Sequence, residues 1–134
     1  MRPLPSLRSL SLLGIVAAVA SACSGSNPLE PFQPEIANAT DNFQLQATGV
    51  AGVTATQTYS WNNTGTKATI NHSTTTSEGS AQLTIRDASG TVVYTRALAP
   101  SLNEPSATGT AGTWTIVLTM TSYSGTLNFR VQKM

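Results

Sequence analysis

Residues 113–121 read Thr-Trp-Thr-Ile-Val-Leu-Thr-Met-Thr, and their alternation decides the fold class. Trp114, Ile116, Leu118 and Met120 share one side; Thr113, Thr115, Thr119 and Thr121 share the other. Successive side chains of a strand point to opposite faces, so the stretch predicts a strand with one packed and one wet face. Threonine is β-branched and suits a pleated surface. Lys and Glu, the usual fillers of exposed helix faces, are scarce beyond residue 22. The mature chain is therefore expected to contain little helix.

The same period of two recurs on both sides of this stretch. Phe43, Leu45 and Ala47 mark a first strand, and Val53, Ala55, Gln57, Tyr59 and Trp61 a second. Ala68 and Ile70 mark a third, Ala81, Leu83 and Ile85 a fourth, and Val92 to Leu98 a fifth. Leu127, Phe129 and Val131 close the chain after residues 113–121. Asn62-Asn63-Thr64-Gly65, Asp87-Ala88-Ser89-Gly90 and Ser122-Tyr123-Ser124-Gly125 carry turn chemistry, because Asn and Gly tolerate positive φ and Asp bonds the backbone ahead of it. Residues 73–79 and 100–111 read as loops. The expected fold is all-β: a single antiparallel two-sheet β-sandwich of about seven strands, spanning 42–134.

The N-terminus is of another kind. Arg2 and Arg8 precede an apolar run from Leu10 to Ala20, and small residues follow. This is the anatomy of an export signal. The run falls short of the roughly 20 apolar residues of a membrane-spanning helix. Ala20-Ser21-Ala22-Cys23 resembles the processing site of bacterial lipoproteins, with an ordinary secretory leader as the alternative. The resemblance implies that residues 1–22 form a signal peptide and that Cys23 is acylated, with palmitate among its chains. The mature protein is then extracytoplasmic and membrane-anchored. Ser24 in place of Asp implies passage to the outer membrane in a Gram-negative source. Residues 23–41 hold Pro28, Pro31 and Pro34 without sustained periodicity and read as a lipidated N-terminus and tether. A relaxed chain of that length spans roughly 20–25 Å.

Composition excludes several classes. Past the leader, Lys67, Arg86, Arg96, Arg130 and Lys133 stand against Glu30, Glu35, Asp41, Glu78, Asp87 and Glu104. This balance supplies no basic stripe for nucleic acid and no acidic cluster for calcium. Cys23 is the sole cysteine, so neither disulfides nor thiolate metal sites are expected. No cofactor is expected.

Three segments resemble the bacterial prepeptidase C-terminal domain and its jelly-roll relatives. They are Leu83 to Val93 around the Asp87–Gly90 turn, Gly112 to Ile116, and Ser124 to Val131. The resemblance implies a non-catalytic binding or solubility module. The calcium-binding acidic residues of some relatives have no counterpart here.

Candidate chemistry is thin. His72, the lone histidine, lacks a second histidine or a cysteine as partner, and reads more simply as a strand-end residue. Asp87 reads as a turn residue rather than a general base. Trp114 and Phe129 belong to inward faces. Trp61, Tyr94 and Tyr123 are the candidate aromatics for stacking on sugar rings, with a structural place at the ends of the sandwich as the plainer reading. The outward threonines at 113, 115, 119 and 121 form a candidate polymer-binding array, or simply a solvated sheet face. The expected function is a lipid-anchored envelope protein with a non-catalytic β-sandwich in a binding or structural role, with a carbohydrate- or polymer-binding module or an accessory subunit of an envelope complex as the alternatives. Its expected partners are the membrane through Cys23 and either a carbohydrate or an envelope protein. A small hydrolase is the least favoured reading.

Overall fold

The computed structural model describes residues 27–99 and 101–134; the expected signal peptide (1–22) and Cys23 lie outside the described residues. After one 3-10 turn at Glu30–Phe32 come β1 (Glu35–Ala39), β2 (Asn42–Asn63), β3 (Ala68–His72) and β4 (Thr75–Arg86). β5 (Val92–Ala97), β6 (Leu102–Pro105) and β7 (Gly112–Lys133) follow. Every strand pairing is antiparallel, as the alternation predicts.

β2 and β7 are each 22 residues long and pair from Asn42↔Gln132 to Asn63↔Gly112. Held straight, such a strand would reach about 70 Å, several times the ~13 Å radius of gyration of a 100-residue domain. They bend instead. The β2–β7 register slips three times between Ala47 and Ala55. Gly49 and Gly52 take φ of +66° and +61°, and on β7 Ser122 and Gly125 take +45° and +148°. β4 slips beside them between Thr76 and Ser80, around Gly79 at φ +68°. Bulges bend a strand and increase its local twist, and three aligned bulged strands fold one sheet at a corner.

The two layers are thus halves of one hydrogen-bonded sheet. The first joins β1, the start of β2, the end of β7, β3 and β6. The second joins the end of β2, the start of β7, β4 and β5. Sequence reading splits β2 into two strands and treats residues 122–125 as a chain reversal. Both segments are corners inside continuous strands, because a bulge and a turn ask for the same positive φ. Most of the expected loop at 73–79 belongs to β4.

The inward faces meet as predicted. Phe43, Leu45, Ile70, Leu83, Ile85, Trp114, Ile116, Leu118 and Leu127 are fully buried. Trp61 and Trp114 pack edge to face with centroids 5.9 Å apart, an arrangement that adds roughly 0.5–1.5 kcal/mol beyond area burial. Phe43 lies 5.3 Å from Tyr59 on the other half of the same strand. Opposite the corner the layers are also stitched. Asp41 N–H donates to the Asn62 carbonyl at 2.8 Å, and the Trp61 indole donates to Ala39 at 3.0 Å. On the flank, Ser106 N–H donates to Ala68 in one layer and Ala107 N–H to Val93 in the other, each at 2.8 Å.

The tether reading does not hold for residues 29–39. β1 pairs with β2 from Glu35↔Gln46 to Ala39↔Asn42, and Leu29 is fully buried in the core. All five β1 residues are exposed. An edge strand without a packed face has no alternation to read, which is why the sequence conceals it.

The corner should be the most sensitive place in the fold. A Cβ on Gly125 would overlap the Thr75 carbonyl and come within 2.9 Å of the Tyr123 hydroxyl, whereas one on Gly49 meets nothing within 4 Å. Gly49→Ala is expected to cost about 1–2 kcal/mol from its backbone conformation alone. Gly125→Ala should cost at least ~3 kcal/mol. Urea denaturation midpoints of the two variants check the order.

Candidate functional site

The outer face of the second layer is assembled from four strands by their pairing register. Thr56 of β2, Thr119 of β7, Gln82 of β4 and Ala97 of β5 form one rung. Thr58, Val117, Thr84 and Thr95 form the next, and Ser60, Thr115 and Arg86 another. Ser80 and Thr121 pair on the corner side. Strand spacing near 4.8 Å and a side-chain repeat near 6.7 Å give the face a footprint of about 14 by 20 Å. Its hydroxyls already interact: Thr84 and Thr95 oxygens are 3.2 Å apart, and the Gln82 amide donates to Thr95 at 3.0 Å. Arg86 is the one ionisable side chain in these rungs, and it turns to donate to the Gly90 carbonyl at 3.1 Å. Sequence reading names the β7 threonines as an array and sets Thr56, Thr58 and Ser60 on one face of their own strand, without bringing the two together. The residues beside them on β2, β4 and β5 become neighbours through register, which no local pattern specifies.

The three candidate stacking aromatics do not form a platform. Trp61, Tyr94 and Tyr123 are 1%, 7% and 0% exposed. Each buries its ring in the core and satisfies its polar atom internally. The Trp61 indole donates to Ala39, the Tyr94 hydroxyl to Glu104 Oε1 at 2.9 Å, and the Tyr123 hydroxyl to the Thr75 carbonyl at 2.7 Å. Tyr123 is buried because its segment is a folded corner and not an exposed turn. Trp114 and Phe129 are core residues, as expected. Cys23 lies outside the described residues.

His72 is 1% exposed, and neither ring nitrogen has a hydrogen-bond partner among the described residues. It sits on β3 opposite Phe129 of β7 and Leu102 of β6. Burial pushes its pKa below the ordinary 6.5. The Glu104 charge and the nearby Leu98 backbone pull the other way, although no contact reaches hydrogen-bond geometry. Glu104 is itself engaged by Arg96 Nε at 2.9 Å and by Tyr94. The Arg96 hydrogen bond foremost holds its carboxyl below the usual range. Burial, with Glu104 beside it, pushes the Tyr94 phenol well up. Among the described residues His72 hydrogen-bonds to no serine and no carboxylate, so none there gives it the contacts of a nucleophile-activating base.

Two further carboxylates act as clasps. Asp87 accepts from the Thr110 N–H at 2.8 Å and from the N–H groups of Ser89 and Thr91 at 3.0 and 2.9 Å. These bonds, Thr110's first, hold its carboxyl below the ordinary value. Its turn role agrees with the sequence reading. Asp41 accepts from the N–H and hydroxyl of Thr64, with Lys133 3.7 Å away. Among the described residues no group of three or more His, Cys, Asp or Glu is placed to hold a metal. An open hollow of about 400 Å³ lies along the β1 edge, lined by Glu35, Ile36, Ala37, Gln44 and Gln46.

No family model matches this chain, and no curated protein matches it. Among solved structures it is similar to a chain in the structure of infectious bursal disease virus Gt strain, at 16% identity and a TM-score of 0.32. The match covers 75% of this chain and spans about 30% of that one.

The buried imidazole predicts an acid-sensitive fold. Its folded pKa lies below its unfolded value of 6.5, so the unfolded state binds the proton first. Stability is therefore full above that value and falls as pH drops toward the folded pKa. Glu104, with a lowered carboxyl pKa, adds its own loss only below its ordinary 4.5. Urea midpoints measured from about pH 7.5 to 5 should decline in the native protein. They should stay level in His72→Phe, and the single imidazole signal should titrate below 6.5 by NMR.

Proposed function

We propose that this chain is a lipid-anchored extracytoplasmic protein, held to a membrane through Cys23. Its β-domain acts by binding rather than catalysis and takes an uncharged polyhydroxylated polymer on the threonine-rich face of the second layer. The observation that carries the reading is chemical. Rungs of hydroxyls and an amide extend across four strands, with Arg86 as their one ionisable group. Hydroxyls both donate and accept, so they match a neutral polyol without an ion's desolvation cost. Each such bond is worth only about 0.5–1.5 kcal/mol net. Useful affinity must then come from many contacts repeated along a polymer. The leader and its Ala20-Ser21-Ala22-Cys23 site support the anchor.

Two measurements test this reading. A palmitate analogue fed to producing cells should label the native protein and leave Cys23→Ala unlabelled. Label retained by that variant would remove the anchor. Co-sedimentation with insoluble neutral polysaccharide should weaken at least tenfold in Thr58→Lys and Thr84→Lys, a loss of about 1.4 kcal/mol. Thr66→Lys, off the face, should bind as the native chain does. Stability should change by no more than ~1 kcal/mol in all three, because Thr58 and Thr66 are exposed and Thr84 is half-buried. Equal binding by all three would remove the face.

A further inference from the structure

We propose that the bent corner of the sheet is the end that faces the membrane, with a bilayer surface as its partner. This rests on the Cys23 anchor proposed above and adds which part of the domain that anchor holds down. The argument begins with where the chain becomes fixed. Asn27 caps the 3-10 turn twice: its carbonyl accepts from Glu30 N–H at 2.9 Å and its side-chain oxygen from Leu29 N–H at 3.0 Å. Leu29, two residues on, is fully buried. The segment is thus part of the domain, and only the step from Cys23 to Asn27 separates the lipid from it. Four residues reach at most about 14 Å, against the 20–25 Å of a relaxed tether running to residue 41.

Direction follows from the pairing. β1 runs from Glu35, opposite Gln46, toward Ala39, opposite Asn42. The chain before Glu35 therefore lies at the corner end of β2, where Gln33, Glu35, Gln46 and Thr48 line one small hollow. The corner is made of Thr48 to Val53, Thr76 to Ser80 and Ser122 to Gly125. Its exposed side chains are small, Val50, Val53 and Tyr123 being buried, and its one charged group is Glu78, with Glu35 at the neighbouring hollow, so approach to headgroups strips water from few charges. Asp41, Lys133 and Asp87 cluster with the opposite end, near Thr64 and Thr110. About ten residues of strand, some 33 Å, separate the two ends. The threonine face then rises from the membrane along its strands, and all of it lies within about 50 Å of the bilayer.

The test uses full-length lipidated protein in phosphatidylcholine vesicles carrying a headgroup energy acceptor. Acylation consumes the native thiol, so one introduced cysteine gives one labelled site. Donor dyes are placed at Ala51→Cys in the corner or Asn62→Cys at the far end, both exposed positions. Transfer should be strong from position 51 and at least several-fold weaker from position 62. A Gly/Ser insert of about 20 residues after Ser26, adding roughly 25 Å of reach, should bring the two close to equal. Equal transfer in the native-length lipidated protein, as for a domain lying on its side, overturns the seating and leaves the anchor standing. A mature chain whose mass shows unmodified Cys23 overturns both.

Discussion

The continuous pairing of β2 with β7 is the constraint on which the rest of this structure depends. It runs from Asn42↔Gln132 to Asn63↔Gly112 without passing to another strand. A ladder that long cannot fit a domain of this size unless it folds, and where it folds sets the layers, the core and both ends. The partners are also distant in sequence: Asn42 and Gln132 almost bracket the domain. Forming that pair requires closing most of the chain, which places the fold among those dominated by non-local contacts and slow to assemble. Gly79, Gly125 and Ser122 therefore matter more than their size suggests. A Cβ on Gly79 would overlap the Ser122 backbone, and one on Gly125 the Thr75 carbonyl. The strands touch at the corner main chain to main chain.

What sequence could and could not reveal follows from this geometry. Period-two alternation is local and survives any bend, so Trp114, Ile116, Leu118 and Met120 announce both their strand and its inward face, and each is buried. Whether a positive-φ segment reverses the chain or kinks it depends on what pairs on either side, and that is not local. Tyr123 illustrates the consequence. Read in a turn it belongs to solvent; in a folded strand it is fully buried and hydrogen-bonded to Thr75. β1 fails for the opposite reason, since its five exposed residues present no packed side to detect. The outer face was legible only in part, because the threonines of β7 form one column of it and register supplies the others.

The few charges are distributed with the same economy. Asp41 fastens Thr64 beside Lys133, Asp87 fastens the Ser89–Thr91 turn to Thr110, and Glu104 joins β6 to Tyr94 and Arg96 of β5. Each works where ladder hydrogen bonds end, at strand termini and beside residues 106–110, which bond to both layers. A backbone group at such a place needs a partner other than a neighbouring strand, and a carboxylate can accept several N–H bonds at once. Electrostatics thus finishes a fold that alternation begins.

That distribution bears on function as well as stability. A chain with six acidic residues that commits Asp41, Asp87 and Glu104 to clasps has few left for its surface. Glu30, Glu35 and Glu78 lie on the 3-10 turn, β1 and the corner, away from the rungs of the second layer. The neutrality of the threonine face is therefore the complement of how the ends are tied. The same β-branched residues that favour the strands cover their outer side with hydroxyls and methyls. A ligand that needs a counter-charge would find little here beyond Arg86. A neutral polyol would find donors and acceptors repeated at the spacing of the sheet, and with Trp61, Tyr94 and Tyr123 buried the proposed recognition would rest on those repeats rather than on a stacking ring.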